Sequence, residues 1–134
     1  MHLTEVLVAG MVFLGAACSS LQIWAASAAG VQQWNQRRDA LERSEQERVL
    51  LQVQWRQAIP AGLSCPQASE AMRTLAEQAP HSEALERTAS LASDGRSVTL
   101  QWRWSGSNQH GWQRQRLITP EALGLCDPSQ EITS

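Results

Sequence analysis

Glu5 is the residue with the most chemistry to explain. It stands alone among uncharged neighbours, since the next charged side chain after it is Arg37. A carboxylate one turn into a membrane helix costs about 2.5–3.5 kcal/mol at depth, less near the interface, and calls for a cationic partner. That partner need not lie on the same chain. The other residues that do chemistry assemble no site. His2, His81 and His110 fall at the N-terminus and in two predicted loops, with no pair at metal-ligand spacing. There is no Cys-x-x-Cys and no phosphate-binding glycine loop. The expectation is therefore a chain that is not an enzyme, with no metal, no cofactor and no catalytic residue.

Two further groups invite a reading. Trp102, Arg103, Trp104, Trp112, Arg114 and Arg116 mix flat aromatics with cations, the combination on which single-stranded nucleic acid stacks. Alternation points Trp102 and Trp104 to the same face as Val98 and Leu100, which makes them core. Trp112 shares its side with Arg114 and Arg116, so the candidate nucleic-acid surface is Arg103, Trp112, Arg114 and Arg116, set against plain core packing with the three arginines exposed. Cys65 and Cys126 bracket the polar part of the chain and read as the two ends of one disulfide in an oxidising compartment. The alternative is a pair of thiols kept reduced in a cytoplasmic core.

The elements that must position these groups follow from composition. The chain has 134 residues, 43% of them apolar and 18% charged, with a net charge of -2; all 11 residues counted as Lys or Arg are Arg. That allows about one domain and marks neither a disordered acidic tail nor a basic nucleic-acid protein. Residues 6–29 carry no charge and as a helix would reach about 36 Å, enough for a hydrocarbon core of about 30 Å. A removable signal peptide fits poorly, because it needs a cationic start and a shorter apolar segment. Leu14-Gly15-Ala16-Ala17-Cys18 approaches a lipoprotein cleavage site but has Gly15 where that site wants Leu. Arg37, Arg38 and Arg43 after the span would hold the C-terminal part in the cytoplasm, against the cysteines. A cationic leader removed before Met1 would resolve the conflict.

The run Met1-His2-Leu3-Thr4-Glu5-Val6-Leu7-Val8-Ala9 resembles the mature N-terminus of type IV pilins and pseudopilins, in which Glu occupies the fifth position of an apolar helix. The resemblance is strong over residues 1 to about 30 and one of layout beyond. It implies a leader peptidase that cuts after a Gly, N-methylation at Met1, and Glu5 pairing with the Met1 amine of a neighbouring subunit. It also implies an α+β fold with a long N-terminal helix, a small antiparallel sheet and a C-terminal disulfide loop. The implied partners are copies of itself or other pilins, the inner membrane before assembly, and the pilus assembly machinery, the destination being an extracellular filament. Many filament-forming members carry a Pro near position 22, where this chain has Gln22. Gly10, Gly15 and the polar Ser19, Ser20 and Gln22 could loosen the helix instead. The competing reading is a single-pass anchor bearing a small extracytoplasmic binding domain. Adhesion, motility, DNA uptake and buoyancy are all open within the filament class, as is its division into major, minor and secretion pseudopilin subunits.

Beyond Gly30 the apolar residues Val31, Trp34, Leu41, Leu51, Trp55, Ala58 and Ile59 recur at roughly helical spacing. The predicted domains are an apolar helix over 1–30, its amphipathic continuation over 31–59, stopped by Pro60 and Gly62, and a small globular part over 60–134. Asp39 with Arg43 and Glu45 with Arg48 read as pairs on a solvated helix face. Pro66 to Ala79 reads as a short helix. Strands are expected at about 85–92, 97–105 and 112–118, a three-stranded meander ahead of a C-terminal loop. Val98 to Trp104 is the clearest of them, by its period of two.

Overall fold

The apolar run and the Arg/Glu-rich run after it form one helix, α1, over Leu3–Ala58. The computed structural model describes residues 2–105 and 111–129. Met1 and His110, two residues weighed above, lie outside the described residues. The fold is α+β: α1 is followed by α2 (Cys65–Gln78) and by strands β1 (Glu86–Leu91), β2 (Val98–Trp104) and β3 (Trp112–Ile118), with a short 3-10 turn at Glu121–Leu123. The chain divides into two compact units, Met1–Arg38 and Asp39–Ser134. The division falls inside the stretch 31–59, so the last turns of α1 belong with the globular part.

In the first unit the large apolar side chains face outward all round the helix. Leu3 is 80% exposed, Phe13 75% and Trp24 77%. This part of α1 is apolar and long enough to cross a membrane, and none of its most apolar window is buried within the chain. The Ser19 and Ser20 hydroxyls donate to the carbonyls of Gly15 and Ala16 at 2.9 and 3.1 Å. Bonded back onto their own helix in this way, the two hydroxyls are satisfied without water.

In the second unit α1 turns inward through Ala40, Ser44, Leu51 and Trp55, at intervals that keep one stripe of a 3.6-residue helix in the core. This differs from the expected stripe. Val31, Trp34 and Leu41 are exposed, and one of the positions that replace them, Ser44, accepts a hydrogen bond from Arg114 of the sheet. After Trp55 the helix ends with the Ile59 N–H on the Trp55 carbonyl at 3.0 Å. Gly62, at φ +91°, reverses the chain in a conformation that side chains disfavour.

α2 begins one residue earlier than Pro66 because Ser64 caps it. The Ser64 hydroxyl accepts from the Gln67 N–H while the Gln67 side chain accepts from the Ser64 N–H, the reciprocal box formed by Ser-x-x-Gln. Its buried face is Cys65, Ala68, Ser69, Met72 and Ala76. The sheet is antiparallel in the order β1-β2-β3. Register places Leu91, Val98 and Ile118 in one row, Arg87, Trp102 and Arg114 in another. Val98, Leu100 and Trp102 are buried and pack with Leu51, Trp55, Met72 and Leu85 in one core. Cys65 and Cys126 are joined in a disulfide with Cα atoms 5.2 Å apart, which ties the start of α2 to the segment after β3.

Candidate functional site

Glu5 lies in the first turn of α1, with its backbone N–H on the His2 carbonyl at 2.9 Å. A carboxylate there meets the positive end of the helix dipole. Among the described residues no side chain reaches that carboxylate by a hydrogen bond or ion pair. Its neighbours Leu3, Val6 and Leu7 are 80%, 56% and 58% exposed. The first unit therefore presents an apolar cylinder with one carboxylate near its end.

The second unit holds its elements together with buried charge. Glu47 points inward and collects three donors. Its Oε1 accepts from the Ser82 N–H at 3.0 Å, and its Oε2 from the Trp102 indole at 3.1 Å and from Arg87 at 3.3 Å. The other nitrogen of Arg87 donates to the carbonyls of Ala76 and Ala79 at 2.7 Å each, closing the C-terminal end of α2 where helix carbonyls lack partners. Arg87 is 3% exposed and Glu47 12%, so each charge is compensated almost without water. Trp55 adds a further tie, its indole donating to the Met72 carbonyl at 3.0 Å.

Glu45 organises a second cluster. Arg48 donates to it at 2.7 Å, Arg114 hydrogen-bonds it from β3, and Arg116 stands 3.6 Å away. Arg114 also donates to the buried Ser44 hydroxyl at 3.2 Å. The Arg48 hydrogen bond, joined by the charges of Arg114 and Arg116, holds the Glu45 carboxyl below its usual range against a smaller opposing effect of burial. The expected Glu45–Arg48 pair is thus present, but as part of a bridge from helix to sheet. Asp39 and Arg43, by contrast, form no ion pair among the described residues.

The four residues weighed as a nucleic-acid surface are not brought together. Trp112, Arg114 and Arg116 share the sheet face of Ile118, whereas Arg103 lies on the opposite face, 3.9 Å from Glu86. Arg114, expected to be exposed, is 18% exposed, because its side chain crosses to α1 and is consumed there. Trp112 is half-buried beside the core. Sequence reasoning missed Ser44, Glu47 and Arg87. The signal for them was parity: Arg87 alternates in step with Ala89 and Leu91 and so must face the core, where it requires an acidic partner.

A carboxylate oxygen of Glu121 and the sulfurs of Cys65 and Cys126 lie within 4.8 Å of one another. Metal ligation by cysteine requires the thiolate, and both sulfurs are spent in the disulfide. The cluster is a cross-link with a nearby carboxylate. Among known proteins no family model, no curated protein and no solved structure matches this chain.

Proposed function

We propose that this chain is a structural subunit of a type IV pilus or pilus-like filament, held in the inner membrane by the first part of α1 before assembly and packed through it into an extracellular filament afterwards. The observation that carries the reading is the lone carboxylate of Glu5 at the end of a helix whose apolar side chains have no cover within the chain. Lipid satisfies such a surface by burying it, and so do copies of the same helix. Lipid offers no cation to Glu5. The Met1 amine of a neighbouring subunit does, and the pairing would set the axial step between subunits, because an unpaired charge among packed apolar helices is costly.

The resemblance of residues 1–9 to mature pilins supports the same assignment, and adds a leader peptidase and a methylase acting at Met1 as the first partners. Glu5→Ala is expected to leave synthesis, membrane insertion and N-terminal processing intact while blocking or weakening assembly. Electron micrographs of the variant with filaments in normal number would remove the role of Glu5. A tandem mass spectrum of the N-terminal peptide, showing methylated Met1 in protein from native cells, tests the class itself.

A second reading has its own support. The unit Asp39–Ser134 carries its own core, its own buried ion pair and a disulfide. A single-pass anchor with an extracytoplasmic binding domain would look the same there. An unmodified initiator Met would favour it.

A further inference from the structure

The charges of the second unit are sorted by sheet edge. β3 is one edge strand and β1 the other. On the β3 side three guanidiniums, Arg48, Arg114 and Arg116, converge on the one carboxylate of Glu45. Arg116 is the least engaged of them, 52% exposed and 3.6 Å from its partner. Together with Arg48 and Leu117 it lines an open cavity of about 490 Å³. The β1 side has the opposite excess. There β1, its approach and the neighbouring α2 carry the carboxylates of Glu70, Glu77, Glu83 and Glu86; Arg73 on α2 and Arg103 on β2 answer two of these charges, and Arg87 on β1 is already neutralised by Glu47. Glu83 is exposed and has no ion pair among the described residues. Glu86 has only Arg103 at 3.9 Å, both side chains being more than half exposed, a pair that contributes little in water.

We propose that these two edges bind each other in different copies of the chain, with Arg116 and Arg48 of one copy receiving Glu83 and Glu86 of the next. Charge complementarity chooses the occupant. Each edge carries two charges in excess, of opposite sign, so a second copy supplies the surface that either one lacks. Like edges repel, which disfavours a two-fold dimer through β3 or through β1. A contact between unlike patches is heterologous and runs on from copy to copy instead of closing at two. The inference deepens the filament reading and rests on it for the copies being brought side by side. It adds a direction, since every subunit would present its arginine edge the same way.

The chain has no lysine, and that makes the contact chemically addressable. In Arg116→Lys the charge is kept and residue 116 becomes the only side-chain primary amine, which a zero-length carbodiimide joins to any carboxylate in direct contact. The experiment uses the full chain in detergent micelles and in membranes of assembling cells, with isotopically light and heavy copies mixed so that coupling between chains is separated from coupling within one. The expected product is a ladder of cross-linked chains in which residue 116 is joined to Glu83 or Glu86 of another copy. It should fade as salt is raised, the Debye length falling from about 10 Å at 0.1 M to about 3 Å at 1 M, and be lost in Glu83→Gln/Glu86→Gln. Coupling only to Glu45 of the same chain would overturn the contact, as would a ladder that survives the double substitution. Retention of the wild-type chain on heparin, abolished by Arg116→Glu and unaccompanied by coupling to Glu83 or Glu86, would assign the edge to a different anion and also overturn it. Imaging the same samples separates the two readings: filaments with only intrachain coupling leave the filament standing without the edge contact, and a mapped ladder in chains that never form filaments does the reverse.

Discussion

The Trp102 indole donates to Glu47 Oε2 at 3.1 Å, joining a buried position on the middle strand of the sheet to α1 at a carboxylate side chain only 12% exposed. The same carboxylate neutralises Arg87, itself 3% exposed. Removing one member of a buried pair leaves the other charge uncompensated, which costs about 3–5 kcal/mol. Glu47→Ala is therefore expected to be severe and Glu47→Gln milder, since the amide oxygen still accepts from one donor. For a unit of this size each kcal/mol moves the midpoint by about 4–8 °C. Circular dichroism of the detergent-solubilised chain measures it, and a Glu47→Ala midpoint within about 3 °C of wild type would show that the charge reaches water after all.

The Cys65–Cys126 link spans 61 residues of sequence, a closure worth about 4 kcal/mol in the chain-entropy model. Replacing both cysteines by Ser should lower the unfolding free energy by a comparable amount and raise the m-value, since the opened chain is less compact when unfolded. Reduction of the wild-type protein should have the same effect. Equal midpoints for oxidised and reduced protein would place the stability of this unit in its core alone.

What the sequence made legible was whatever periodicity governs. Val98, Leu100 and Trp102 alternate with Thr99, Gln101 and Arg103, and their burial follows. The uncharged N-terminal run reads as helix from its length, and the two cysteines bracket the part they close. Periodicity fails where long polar side chains take core positions. Glu47 stands four residues before Leu51 on the inward stripe, and a stripe interrupted by Ser44 and Glu47 looks solvated until Arg87 and Arg114 are seen to need acceptors there. Alternation assigns Arg114 to the face of Ile118 but not the reach that takes it to Ser44. The early start of α2 was hidden for a simpler reason: Pro66 drew attention to itself, while the cap was made by Ser64 with Gln67.

Glu45 gives a pH dependence with a definite sign. Its folded-state carboxyl is held below the ordinary value of 4.5, first by Arg48 and then by Arg114 and Arg116. A depressed carboxyl contributes stability that is fully present above its unfolded value and is lost as pH falls through the folded one. Glu45→Gln should thus be less stable than wild type at neutral pH, with the gap closing below about pH 4.5. The gap should be small, because the side chain is 37% exposed and solvent screens it. Thermal midpoints of both proteins across pH 3 to 7 test this; a constant gap would mean that Glu45 acts through shape and not charge.

Glu5 permits the most direct test of the filament reading. With no lysine in the chain, the N-terminal amine is its one aliphatic amine. If that amine meets Glu5 of a neighbour, carbodiimide treatment of assembled material should form an amide between Met1 of one copy and Glu5 of another. Glu5→Gln keeps the shape and removes the charge, which lowers the cost of residing in an apolar phase and so should not impair insertion into the membrane. Assembly should nevertheless fail, because the amine of each neighbour then enters the apolar core unpaired. The two parts of the prediction pull in opposite directions, and that is what makes them informative. A carboxylate that merely sits among headgroups would give the neutral variant equal or better insertion, unchanged assembly and no interchain amide.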